Sequence, residues 1–197
     1  MFKRLVQLFL LLLLAAVGVL VWFAWYVSTP LLVPVGGDEP SASPVADSLV
    51  MEPVEAVSAD GTAIEGYLVR PGRPEALSPR QSRVRDTLKL RGRMPHLEAK
   101  PELVVIATSW DQGVKGSLPL AEGLTGAGYT CLVWNPRGKN DARKFCTYGL
   151  KEYADVTALL DAVSRKQGGL PPVAAVGQGF GAVSYTHLRA HETLMNL

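Results

Sequence analysis

Residues 5–27 form an apolar run interrupted only by Gln7, and no face of a helix drawn through them is polar. At 1.5 Å per residue that helix is about 34 Å long, enough to cross a hydrocarbon core of about 30 Å. Trp22, Phe23, Trp25 and Tyr26 cluster at its far end, where amphipathic rings favour the headgroup region. Lys3 and Arg4 precede the run and no cation follows closely, a bias that puts the N-terminus in the cytoplasm and the remainder outside it. A cleaved signal peptide has a shorter apolar core and a small-x-small site. Aromatics stand in that place here, so a retained anchor over residues 1–29 is expected.

Beyond the anchor the pattern changes. Residues 30–50 are rich in Pro, Gly, Ser and Ala and read as a linker. Residues 51–58 and 63–70 alternate with period two around Asp60-Gly61, which predicts a hairpin. Residues 71–100 carry Arg73, Arg80, Arg83, Arg85, Lys89, Arg91 and Arg93. A solvated insertion is expected there, because no aromatics interleave the charges; an anion- or lipid-headgroup-binding patch is the alternative. The continuous apolar runs 103–108, 129–134 and 173–176 predict strands buried on both faces of a parallel sheet. Between the first two, Ser117 is placed to cap a helix with Pro119 in its first turn and Gly128 past its end. Residues 150–165 carry Val156, Leu159, Leu160 and Val163, the stripe of an amphipathic helix. Strands alternating with helices imply a parallel sheet covered on both sides.

Composition adds exclusions. A net charge of +2 over 197 residues gives no argument for nucleic acid. Cys131 and Cys146 are too few for a disulfide framework and lack metal-ligand spacing; a single bridge between them, outside the cytoplasm, stays open. The histidines are His96, His187 and His191. Residues 183–193, VSYTHLRAHET, resemble a translated sequencing adapter from transposase-made DNA libraries. On that reading residues 183–197 are an artefact and the native protein is expected to depart from this sequence near Ala182. A metal site on His187 and His191, four apart on one helical face, is the weaker reading. No cofactor and no metal is expected.

The phrases "TSWDQG", "NPRGKN", "YGLKEYADVTALLDAV" and "VAAVGQGFGA", in this order after a hairpin, resemble the N-terminal half of an α/β-hydrolase domain over residues 51–182. The likeness is nearest to membrane-anchored bacterial members. The expected fold class is therefore α/β: a truncated α/β-hydrolase-type, mostly parallel sheet with flanking helices, preceded by one N-terminal transmembrane helix. The resemblance places the nucleophile elbow, G-x-S-x-G in the family, at residues 177–181. The nucleophile position is Gly179, which has no Oγ. The backbone amides of Trp110 and Phe180 are the candidate oxyanion-hole donors, a role indifferent to side-chain identity. Thr108 and Ser109 stand where the family usually has His-Gly. The family's acid and histidine follow the nucleophile in the chain, and none that fits follows here before the adapter-like tail. Ser109 and Cys146 are the substitute nucleophiles to consider. His96 precedes the first buried strand, out of order for a general base. Cys146 is expected to be a partly exposed structural thiol and Cys131 a packing residue.

Two functions follow. One is a membrane-anchored esterase or acyl hydrolase acting outside the cytoplasm, inactive in this sequence. The other is a non-catalytic binding scaffold on the same fold. Expected partners are the membrane, through the N-terminal helix, and a small acyl substrate or ligand. A phosphate-holding doubly wound domain is a third and weaker reading, because G-x-G-x-G lacks the dinucleotide spacing and no acidic residue follows to read a ribose.

Overall fold

A computed structural model describes residues 2–32, 48–71, 77–92, 103–107, 112–138, 145–179, 181–183 and 186. Helix α1 (Phe2–Leu32) opens the chain. Its Phe2–Thr29 portion has a mean hydropathy of 2.7 with none of it buried, so it is long and apolar enough to cross a membrane. The Trp22 and Tyr26 rings stack at 5.6 Å.

A five-stranded sheet follows. Its strands are β1 (Leu49–Val57), β2 (Ala63–Pro71), β3 (Leu103–Ala107), β4 (Thr130–Trp134) and β5 (Val173–Gly177), in the spatial order β1-β2-β4-β3-β5. β1 and β2 pair antiparallel, as do β2 and β4, while β3 pairs parallel with β4 and with β5. It follows that β2 alone runs against the other four. The turn between β1 and β2 is closed by Asp60, whose carboxylate accepts from the Thr62 amide at 3.1 Å and the Thr62 hydroxyl at 2.6 Å.

The apolar strands conceal a period of two. Leu103, Val105 and Ala107 of β3 and Leu132 and Trp134 of β4 face one core. Helix α4 (Glu152–Gln167) closes it with Val156, Leu159 and Val163. Val104, Ile106, Cys131 and Val133 face the other core, under Val114, Leu118 and Ala121 of helix α3 (Gly113–Gly126). Both faces are thus covered across the middle of the sheet, which is why these strands are apolar but for Thr130 at the start of β4.

Several details depart from the sequence reading. Helix α3 starts at Gly113, ahead of Ser117, which is fully buried inside it. A first-turn amide, Val114 N–H, instead donates to Asn135 Oδ1 beyond β4 at 3.2 Å. A partner 21 positions away takes the role a local cap was expected to play. Pro119 consequently sits in the helix interior. β5 forms where expected but lies at the edge of the described sheet, with residues 173–175 exposed and Val176 half-buried against the core under α3. The basic segment is more than a solvated insertion. It contains helix α2 (Pro79–Leu90), started by a capping box in which the Gln81 amide donates to Ser78 Oγ and the Ser78 amide to Gln81 Oε1.

Candidate functional site

β5 ends in a tight strand-to-helix turn. Gly177 is the last residue paired with β3, opposite Ala107. The Gln178 amide donates to Ala107 O at 2.9 Å. Two turn bonds follow: the Gly181 amide to Gln178 O at 3.0 Å, and the Ala182 amide to Gly179 O at 3.1 Å. Residues 181–183 are already helical. The reversal is so close that a Cβ on Gly177 would stand 2.4 Å from the Ala182 Cα. Gly179, at the apex, is exposed and has φ +54°, in the left-handed region that L side chains rarely enter.

This backbone sets a residue at the carboxyl end of β5, the edge strand beside β3, on a turn that leads into a helix. A helix N-terminus at such a turn favours a developing negative charge, although the Gln178, Gly181 and Ala182 amides are spent on the turn's own bonds. At Gly179 it offers no nucleophile. Trp110, Phe180, Ser109 and His96 lie outside the described residues, as do His187 and His191.

Among the described polar groups, Asn135 and Ser117 are both buried. Asn135 follows β4 and is held by its own amide donating to Glu65 O at 3.0 Å. Its Nδ2 is buried without a partner, as is Ser117 Oγ. Buried donors left in this condition are uncommon in folded proteins. Asn135 stands at the carboxyl end of β4, but its Nδ2 is enclosed and offers no open face to an entering group. A cavity of about 650 Å³ lies at the opposite end, lined by Arg70, Leu103, Thr130 and Pro172 among others. It is remote from the elbow chemistry.

The two cysteines are not nucleophiles. Both are free and buried, which corrects the partly exposed setting expected for Cys146 and leaves no bridge between them. Burial pushes the Cys131 thiol up to about 12 and the Cys146 thiol to about 11, far from the thiolate that reactivity requires.

The strongest electrostatic feature was not singled out in the sequence. Arg137, in the "NPRG" turn, is only 3% exposed. Its Nε donates to Asp155 Oδ2 at 2.9 Å and its Nη1 to Asp60 Oδ2 at 2.9 Å. Its Nη2 donates to Asp155 Oδ1 and, at 3.3 Å, to Lys151 O. One guanidinium thus joins the hairpin turn, the turn after β4 and the start of α4. Burial would lower its pKa, but Asp155 and Asp60 outweigh that and raise it. Beside it, Glu152 accepts from the Thr147 amide (2.7 Å), the Thr147 hydroxyl (2.8 Å) and the Gly149 amide (2.7 Å). These bonds flank Tyr148, a non-glycine residue at φ +52°. The signal available in the sequence was Glu152 and Asp155 on the same helical stripe as Val156, Leu159 and Val163. Acids on a buried stripe demand a buried cation.

No family model matches the sequence, and no curated protein matches it. Solved structures do. An esterase of Pyrococcus furiosus superposes with a TM-score of 0.53 at 16% identity, over 79% of this chain and 50% of its own. The fold is that of an α/β hydrolase. An α/β hydrolase of Novosphingobium aromaticivorans matches at 16% identity over 73% of this chain and 40% of its own, with a TM-score of 0.45. Brefeldin A esterase, a bacterial homologue of human hormone-sensitive lipase, matches at 17% identity and a TM-score of 0.45, over 90% of this chain and 45% of its own. The α/β-hydrolase-like chain spans about half the length of the first of these structures and less of the others.

Proposed function

We propose that this protein is held by α1 in a membrane, with its α/β-hydrolase domain (residues 51–182) outside the cytoplasm. There the carboxyl end of the sheet engages an acyl ligand without turning it over. The carrying observation is the elbow itself. Its hydrogen bonds and left-handed apex are formed, while the apex residue is Gly179. Loss of the nucleophile costs several orders of magnitude in rate, but a backbone amide donor such as that of Phe180 does not depend on the lost side chain. The proposed oxyanion donors are the Trp110 and Phe180 amides. The esterase named for the Pyrococcus structure supports an ester or related acyl group as the ligand class.

A fluorophosphonate probe tests this, applied to the whole gene product in native membranes. The wild type should stay unlabelled. Gly179→Ser would restore an Oγ at the apex and should become labelled if a base stands in reach. Labelling of the wild type at Ser109 would overturn the site assignment. Topology is tested separately. A reporter active only outside the cytoplasm, fused after Pro53, should be active and membrane-bound. Activity of a cytoplasm-only reporter at the same junction would reverse the orientation.

The rival is a retained hydrolase activity whose serine codon was altered to glycine in this sequence. Genomic resequencing at codon 179 decides between them.

A further inference from the structure

Helix α2 is anchored on one side and bare on the other. Its inner side rests on α3. Gln81, fully buried, donates from Nε2 to Thr125 Oγ1 at 3.0 Å. Gly126 permits the approach, since a Cβ there would stand 2.7 Å from the Gln81 Cα. The outer side is different. At 100° per residue, positions 80, 83, 87, 90 and 91 fall within an arc of about 100°, whose centre lies about 130° around the helix from Gln81. They are Arg80, Arg83, Thr87, Leu90 and Arg91, all exposed, with Leu90 89% exposed. Asp86 is the acidic residue of this helix, at the edge of that arc. Three arginines surround one exposed leucine on this face, a cationic surface whose guanidinium groups suit lipid phosphates.

The place where the tether enters the domain locates this face. Ser48, the residue before β1, donates to Glu122 Oε1 at 3.5 Å, a long contact. The hydroxyl of Ser78, the N-cap of α2, donates to the same oxygen at 2.6 Å. The chain leaving α1 therefore joins the domain beside the first turn of α2. Residues 33–47 between them span at most about 54 Å at full extension. The tether thus holds α2 at high effective concentration beside whatever surface α1 crosses.

We propose that α2 is a membrane-docking surface whose outer face, Arg80, Arg83, Thr87, Leu90 and Arg91, lies against an anionic phospholipid bilayer. It rests on the anchoring reading of α1. Each interfacial cation adds to the attraction for anionic lipid, and the three arginines act together.

The test uses the full chain in vesicles with a polarity-sensitive fluorophore on Thr87→Cys. The native thiols are both buried, so the label goes to the new one. A second variant, Val57→Cys, labels the far end of β1, about 30 Å from Ser48. In phosphatidylglycerol-rich vesicles the Thr87→Cys label should shift to the blue and the Val57→Cys label should not. Molar salt should reverse the shift. Arg80→Gln/Arg83→Gln/Arg91→Gln should lower the docked-to-undocked ratio on the order of a hundredfold. These positions are exposed, and an unchanged circular dichroism spectrum will verify folding of the variant. Resistance to alkaline carbonate extraction reports the anchor independently. Anchored protein with no shift, or with equal shifts in neutral and anionic vesicles, overturns the docking proposal. Protein released by carbonate overturns the anchoring reading instead.

Discussion

Gly177 and Ala182 touch across the elbow: a Cβ on the first would lie 2.4 Å from the Cα of the second and 2.7 Å from its amide nitrogen. Both of these atoms are backbone, so neither can swing aside. Gly177→Ala must open the turn or pull β5 away from β3. The expected cost is about 1–3 kcal/mol, read as a lower urea midpoint of the detergent-solubilised protein with an unchanged slope. A variant as stable as wild type would show that the turn is looser than described.

Gly179→Ser carries a smaller penalty for a different reason. The space at the apex is open to solvent, and the strain is in the φ of +54°. A left-handed serine should cost about 1–2 kcal/mol, less than the stability of a typical domain. The variant should therefore fold, and its thermal midpoint should drop by only a few degrees. Failure of this variant to fold, beside a folded Gly177→Ser, would reverse the assignment of the two glycines.

Arg137 and Asp155 form a buried pair, so removing one partner is worse than removing both. Arg137→Met leaves Asp155 charged with Asp60 and Glu152 nearby, and should cost about 3–5 kcal/mol. Arg137→Met with Asp155→Leu should recover a substantial part of that loss. A double-mutant cycle by denaturant unfolding measures the coupling. Strict additivity would mean that the two groups do not act as a pair.

Acid should destabilise the domain. The Thr62 hydroxyl above all, with help from Arg137, holds Asp60 well below the usual carboxylate range against the opposing effect of burial. Burial pushes Glu152 up, but the bonds from Thr147 and Gly149 outweigh it and leave the group lowered. Both folded values lie below the unfolded ones of about 4. Their stabilisation is complete above that range and is lost as pH falls through it toward the folded values. Burial shifts Asp155 upward, so it offsets part of this loss. Asp60→Asn should flatten the acid limb of a plot of urea midpoint against pH. An acid limb of unchanged slope would remove Asp60 from the account.

What the sequence disclosed divides along physical lines. β3 and β4 were legible because burial on both faces leaves a run such as LVVIA or TCLVW without polar interruption. The hairpin was legible from Asp60-Gly61, and α4 from its apolar stripe, since these signals are local. The start of α3 was not, because its amide finds Asn135 across the fold rather than a neighbour along the chain. Ser117, a good cap by type, is turned into the core. Helix α2 was hidden by its charge, although Ser78 and Gln81 spell a capping box. The glycine of the elbow was readable; the closeness of Gly177 to Ala182 was not, because it arises only when the strand reverses. Arg137 looked like a turn residue, since three separate segments had to meet before its carboxylates surrounded it.

The direction of the strands has one more consequence. Ser48 precedes β1, and Gly177 ends β5, which runs the same way. The tether thus enters at the amino ends of these strands and the elbow opens at their carboxyl ends. On the proposed anchoring by α1, a domain resting on its tethered end would present Gly179 to the surrounding water, like a dish on a short mast turned toward the sky. Its visitors would arrive by diffusion through the aqueous compartment, and a molecule still embedded in the leaflet below would find the sheet itself in the way.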